Sequence, residues 1–212
     1  MGILAAYMVP HPPLIVPAIG RGEEKKIQHT INAYHDVAKQ IGSLKPELIL
    51  MISPHQIMYA DYIHISPGNR AAGDFSQFRA ANVKMDVSYD TDYVQELCTR
   101  AKQQGINAGT YGERTKQLDH GTMVPLYFIN QYWKDYQLVR IGLSGLSLSV
   151  DYEVGRCLKE AVEALGRRTV LVASGDLSHR LKADGPYGFQ KEGPEYDRRI
   201  MDVMGKADFG EL

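Results

Sequence analysis

The sequence predicts an α/β fold, with a mostly parallel central sheet flanked by helices. Three observations carry that reading. Short apolar runs alternate with longer segments of helical periodicity along the whole chain. The runs at 48–52 (Leu-Ile-Leu-Met-Ile) and 169–173 (Thr-Val-Leu-Val-Ala) are continuous rather than alternating, as in strands covered on both faces. Histidines follow three of these runs closely, and open α/β sheets bind ligands beyond the carboxyl ends of their strands.

Residues 2–9 read as a first, buried strand, ended by Pro10, Pro12 and Pro13, which cannot continue a ladder. Residues 22–42 carry a helical stripe of Ile27, Ile31, Tyr34, Val37, Ala38 and Ile41, with Gly42 as its C′ residue. The strand at 48–52 follows, then an alternating strand at 62–65 and a long irregular stretch that begins at Pro67. Residues 83–87 form a further strand. Residues 90–104 form a helix capped by Asp90 or Thr91 and stopped by Gly105. A charged, Gly-containing loop at 109–121 leads to a helix at 124–132. Then come a strand at 137–143, a helix at 151–165 ending at Gly166, and the strand at 169–173. A Gly/Pro-rich loop (184–194) precedes a last helix at 195–204. There is no internal repeat.

At 212 residues the chain suits one domain with a substantial core. Its formal net charge of −1 sets up no global field for nucleic acid or an acidic membrane. No apolar run approaches the ~18–20 residues that span a bilayer, and the N-terminus lacks the basic start of a signal peptide. Cys98 and Cys157 form no CxxC pair, which argues against a disulfide framework or thiolate zinc site and makes the cytoplasm the expected compartment. The chain stops at Leu212 directly after a helix-like stretch, so a domain truncated at its C-terminal end is expected.

Four histidines are the candidates for chemistry. His11 lies between Pro10 and Pro12, whose fixed φ leaves the loop little freedom to lose on binding. His55 repeats the pattern: apolar strand, Ser-Pro, then His. Together they resemble two neutral imidazole ligands offered from strand ends, the start of a two-His-one-carboxylate site. His179 ends Ser-Gly-Asp-Leu-Ser-His, where Asp176 and Ser178 could fix its tautomer; it suits a third ligand or, preferably, a general base. His120 follows Asp119 ahead of an apolar helix, and both a helix-cap environment and a substrate contact fit it. His29, His35 and His64 lie within regular elements and carry little functional signal. Glu192 and Glu195 read as ordinary first-turn residues that complement a helix dipole.

Tyr-Met-Val-Pro-His-Pro-Pro, Ser-Pro-His, Leu-Asp-His-Gly-Thr-Met-Val-Pro-Leu and Ser-Gly-Asp-Leu-Ser-His occur in this order, and together they resemble the LigB-type class III extradiol ring-cleavage dioxygenases. Within that superfamily the chain is most similar to the AmmeMemoRadiSam/Memo-like branch, whose domain is often followed by an AMMECR1 domain. The resemblance covers nearly the full length, so residues 1–212 are expected to be a single LigB-like catalytic domain. It implies His11 and His55 as metal ligands, His179 as the acid/base and His120 as the substrate-side histidine. It implies a divalent metal, Fe(II) first and Zn(II) as the alternative, with a small aromatic substrate and O₂ as partners. Nucleic acid and membranes are not expected partners; a homo-oligomer and an AMMECR1 domain in the parent chain are compatible with it. The family's third ligand, usually Glu, has no match here and is expected beyond Leu212. Two rival readings remain: a zinc hydrolase on the same scaffold, and a Memo-like metal- or partner-binding protein without dioxygenase activity.

Overall fold

A computed structural model describes residues 2–211. The chain forms one compact unit up to Gly175 and a second from Asp176. The first unit runs β1 (Ile3–Val9), α1 (Pro17–Gly20), α2 (Gln28–Leu44), β2 (Leu48–Ser53), β3 (Ile63–His64), β4 (Arg70–Phe75), β5 (Ala80–Ser88), α3 (Thr91–Gln103), β6 (Ala108–Gly109), α4 (His120–Ile129), β7 (Gln137–Gly142), α5 (Leu148–Leu165) and β8 (Thr169–Ser174). The second unit contains α6 (Glu192–Lys206).

The fold class is as the sequence predicts. A four-stranded sheet in the order β1-β8-β2-β7 is parallel at every pairing. Alternate residues of its central strands enter two separate cores. Ile49, Met51, Val170 and Val172 face one core, packed beneath Ile31, Tyr34, Ala38 and Ile41 of α2 and Val124, Leu126, Phe128 and Ile129 of α4. Leu48, Leu50, Val139 and Ile141 face the other, beneath Tyr93, Val94 and Leu97 of α3 and Val154, Leu158 and Val162 of α5. Burial on both faces is why β2 reads as unbroken apolar sequence. The parallel registers align the strands' carboxyl ends, pairing Val9 with Ser174 and Ser53 with Gly142.

Four expectations need correction. The first strand, expected to be buried, is an edge strand that pairs only with β8 among the described residues, leaving Ile3, Leu4 and Met8 exposed. The irregular stretch from Pro67 contains β4, which pairs antiparallel with β5 and carries an Arg70–Asp86 ion pair. Helix α2 ends at Leu44 and is capped by Lys45, which adopts a left-handed conformation before Pro46, where the proline disfavours right-handed helical backbone in the preceding residue. Gly42 instead lies inside α2, where a Cβ would meet Tyr132 Cβ at 3.1 Å. Helix α4 begins at His120, four residues earlier than the apolar periodicity suggests, because the Asp119 side chain accepts the Thr122 N–H at 2.9 Å and closes the first turn.

His64 is fully buried in β3, with Nδ1 donating to the Tyr111 carbonyl at 3.0 Å. Burial pushes its pKa below the ordinary value, the Arg140 charge adds to that, and the Tyr111 bond opposes it. The folded state therefore resists a proton that the unfolded chain accepts near pH 6.5. Stability should consequently fall as the pH drops through that value. Urea unfolding on either side of pH 6.5 should show this loss in the parent protein and a smaller one in His64→Gln.

Candidate metal centre

Three strand-end or helix-start segments of the first unit deliver imidazoles to one point. His11 follows β1 in a loop whose Pro10 carbonyl accepts a hydrogen bond from the Tyr34 hydroxyl. His55 follows β2 by two residues, its backbone N–H donating to the Ser53 hydroxyl at 3.2 Å. His120 is the first residue of α4.

One donor atom from each of His11, His55 and His120 lies within 4.8 Å of the others. Among the described residues this is the one group of three or more His, Cys, Asp or Glu side chains with metal-ligand spacing. His11 Nε2 and His55 Nε2 are 2.9 Å apart, and the His55 and His120 ring centroids are 3.8 Å apart. Two nitrogens bound at right angles to a cation roughly 2.1 Å from each would sit about 3 Å apart, so the donor pair fits a divalent metal. The group is graded in depth: His11 is buried, His120 half-buried and His55 exposed. Phe78 stands edge-on to His120, with centroids 5.3 Å apart, adding an apolar wall on that side.

Asp119 organises the polar surroundings. Its Oδ1 accepts from the Ser53 hydroxyl at 2.6 Å and from Thr122 N–H, while Oδ2 accepts from the Thr122 hydroxyl at 2.9 Å. The Arg140 guanidinium, wholly buried on β7, donates to Asp119 Oδ2 at 3.3 Å and to the Gln117 carbonyl at 2.8 Å. Its Nε donates to the Ser66 hydroxyl at 2.9 Å. The start of α4 is thereby fastened both to β2, which precedes His55, and to β7. Gly121 lets α4 approach β2 so closely that a Cβ there would meet Ser53 Oγ at 2.5 Å and His55 Cδ2 at 3.1 Å.

The fourth candidate belongs to the second unit. His179 is half-exposed, with Nε2 3.6 Å from Asp176 Oδ2 and its ring edge-on to Tyr187. Of the two residues expected to orient it, Asp176 is in range, whereas the Ser178 hydroxyl accepts from Arg180 N–H at 3.1 Å. Ser178 N–H donates to Asp197 of α6 at 2.8 Å, which ties the Ser-His segment to that helix. Glu192 and Glu195 lie in the first turn of α6, as the sequence suggests.

A large surface groove lies elsewhere. It has a volume of about 710 Å³, runs along α3 beside Gln95, Cys98 and Lys102, and is lined by none of the three clustered histidines.

Residues 5–212 match the family described as the catalytic LigB subunit of aromatic ring-opening dioxygenase. The chain belongs to the LigB family. It is 38% identical over 220 residues to Protein CA_C1420 of Clostridium acetobutylicum, an alignment covering 96% of this chain and 45% of that protein. The LigB chain therefore spans less than half the length of that relative. It is 24% identical over 234 residues to the 2-aminophenol 1,6-dioxygenase beta subunit of a Pseudomonas species, covering 99% of this chain and 76% of that subunit. A shorter segment is 33% identical over 61 residues to the MEMO1 family protein PAE0818 of Pyrobaculum aerophilum, covering 29% of this chain and 22% of that protein. The LigB type with a Memo-like branch, expected from the four histidine motifs, is thus the family found.

Sequence reasoning missed Arg140 as part of the site. A signal existed for the arginine, since a charge inside the apolar run Gln-Leu-Val-Arg-Ile-Gly requires a buried partner.

Proposed function

We propose that this LigB chain is a metal-dependent, extradiol dioxygenase-like protein that opens a small aromatic ring bearing two adjacent polar substituents. In this reading Fe(II) is held by His11 and His55, His120 faces the substrate, and His179 is the acid/base. The observation that carries it is the convergence of three imidazoles within 4.8 Å beyond the strand ends. A LigB relative named for 2-aminophenol supports the substrate class.

Bound there, the metal would supply a Lewis-acidic centre that takes both substrate and O₂. The protein's part is to hold and orient. His11 and His55 present neutral nitrogens from chain segments stiffened by prolines and hydrogen bonds. His120, anchored as the first residue of α4, offers a donor or acceptor to the ring substituent nearest it, beside the apolar Phe78. His179 removes a proton from the substrate's hydroxyl or amino group and returns one later, with Asp176 Oδ2 3.6 Å from its Nε2.

Anaerobic loading with Fe(II), followed by catechol or 2-aminophenol and then air, tests the proposal. A yellow ring-opened product that requires both Fe(II) and O₂ is expected. An iron-loaded protein that stays colourless with every catechol and aminophenol would favour the Memo-like binding role instead. Zn(II)-dependent hydrolysis without any oxygen requirement would favour the hydrolase.

A further inference from the structure

The first candidate metal ligand, His11, is buried, and its second ring nitrogen points into a hydrogen-bonded chain of two other residues. His11 Nδ1 lies 2.9 Å from Ser174 Oγ, at the end of β8. Ser174 Oγ lies 2.5 Å from the Gly121 carbonyl oxygen, in the first turn of α4. Both His11 and Ser174 are about 95% buried, at 4% and 5% exposed.

The direction of each hydrogen bond follows from what the groups carry. A carbonyl oxygen can only accept, so the short contact to Gly121 takes the single proton of the Ser174 hydroxyl. Ser174 Oγ then has only lone pairs left for the histidine, and His11 Nδ1 must be the donor. In the neutral ring a proton on Nδ1 places the lone pair on Nε2. That is the atom 2.9 Å from His55 Nε2.

Gly121 is available to accept for a reason visible in the sequence. The carbonyl of residue 121 would ordinarily accept from the N–H of residue 125. Residue 125 is Pro125, inside α4, and proline has no N–H. The proline that removes one rung of the helix leaves the Gly121 carbonyl to the serine.

We infer that Ser174 is a positioning residue which, anchored on the Gly121 carbonyl freed by Pro125, locks His11 in its Nδ1–H tautomer and so presents Nε2 to the metal. The metal-binding role of His11 rests on the reading under Proposed function; the tautomer lock does not. Orienting hydrogen bonds of this kind typically change metal affinity 10–100-fold when removed.

Long-range proton–nitrogen NMR of the metal-free protein, at a pH where imidazoles are neutral, reads the tautomer directly. His11 should show a protonated Nδ1 and an unprotonated Nε2. In Ser174→Ala, checked for unchanged thermal unfolding, the proton should redistribute towards Nε2 and Fe(II) or Zn(II) affinity should fall on the order of 10–100-fold. Ser174→Thr, which keeps the hydroxyl, should restore the Nδ1–H form. A parent protein with its His11 proton on Nε2 overturns the inference without any variant. A Ser174→Ala protein that keeps both its Nδ1–H tautomer and its affinity, or that changes tautomer with no loss of affinity, overturns it as well. Failure of the parent protein to bind metal while the tautomer stays fixed would instead count against the metal reading alone.

Discussion

His11→Ala and His55→Ala should each abolish stoichiometric binding of a divalent metal, and with it all ring-opening turnover. His11 Nε2 and His55 Nε2 sit 2.9 Å apart beyond the ends of β1 and β2, which β8 separates in the sheet, so removing either leaves at most a pair of donors from this group. His120→Ala separates two roles for the third imidazole. If it faces substrate, metal content is retained while turnover falls, on the scale of 10²–10⁴-fold typical of a lost proton-transfer group. Metal analysis of the three variants alongside product formation reads both quantities. Unchanged metal content in both His11→Ala and His55→Ala would remove them as ligands.

The largest expected loss of stability comes from Arg140→Met. The guanidinium is 2% exposed and satisfies Asp119, Ser66 and the Gln117 carbonyl together. Glu113 lies 4.0 Å away and is also largely buried. Methionine fills comparable space but leaves two shielded carboxylates without their cation. Stripping one partner from a buried ion pair typically costs about 3–5 kcal/mol. The loss should appear as a lowered denaturant midpoint with little change in slope. Adding Asp119→Asn to Arg140→Met should recover part of it, since the amide is neutral and can still accept from Thr122 and Ser53. Arg140→Lys should fall between, because an ammonium keeps the charge but not the planar fork that reaches Ser66 and Asp119 together.

Much of the fold was legible because the sheet is buried on both faces and says so in its composition. Leu48-Ile-Leu-Met-Ile and Thr-Val-Leu-Val-Ala have no polar residue to spare for solvent beyond the terminal threonine, and both are central strands. The strand-end histidines were legible for the same reason, since each follows a recognisable run. The β4–β5 pair was not, because Arg-Ala-Ala-Gly-Asp-Phe lacks the β-branched residues and alternation that mark a strand. Its pairing comes from β5 and from the long-range bond of Leu118 N–H to the Ala72 carbonyl.

The histidine group was legible by membership but not by geometry. That His120 stands beside His55 depends on Gly121 allowing α4 to touch β2, and on Asp119 bridging Ser53 and Arg140, contacts that span 66 and 21 residues. No local periodicity encodes them. Pro125 lies inside α4 and has no N–H for the Gly121 carbonyl, and only the fold brings Ser174, 53 residues away, to that carbonyl.

His11 and His55 are expected to hold a divalent metal, with His120 beside it on the substrate side. Crystals grown with Fe(II) under anaerobic conditions, or with Zn(II), test it by anomalous diffraction at the metal edge. One strong peak is expected, on the order of 2 Å from both His11 Nε2 and His55 Nε2, with His120 beside it. A peak elsewhere, or none at a metal concentration that saturates the protein in solution, would contradict it.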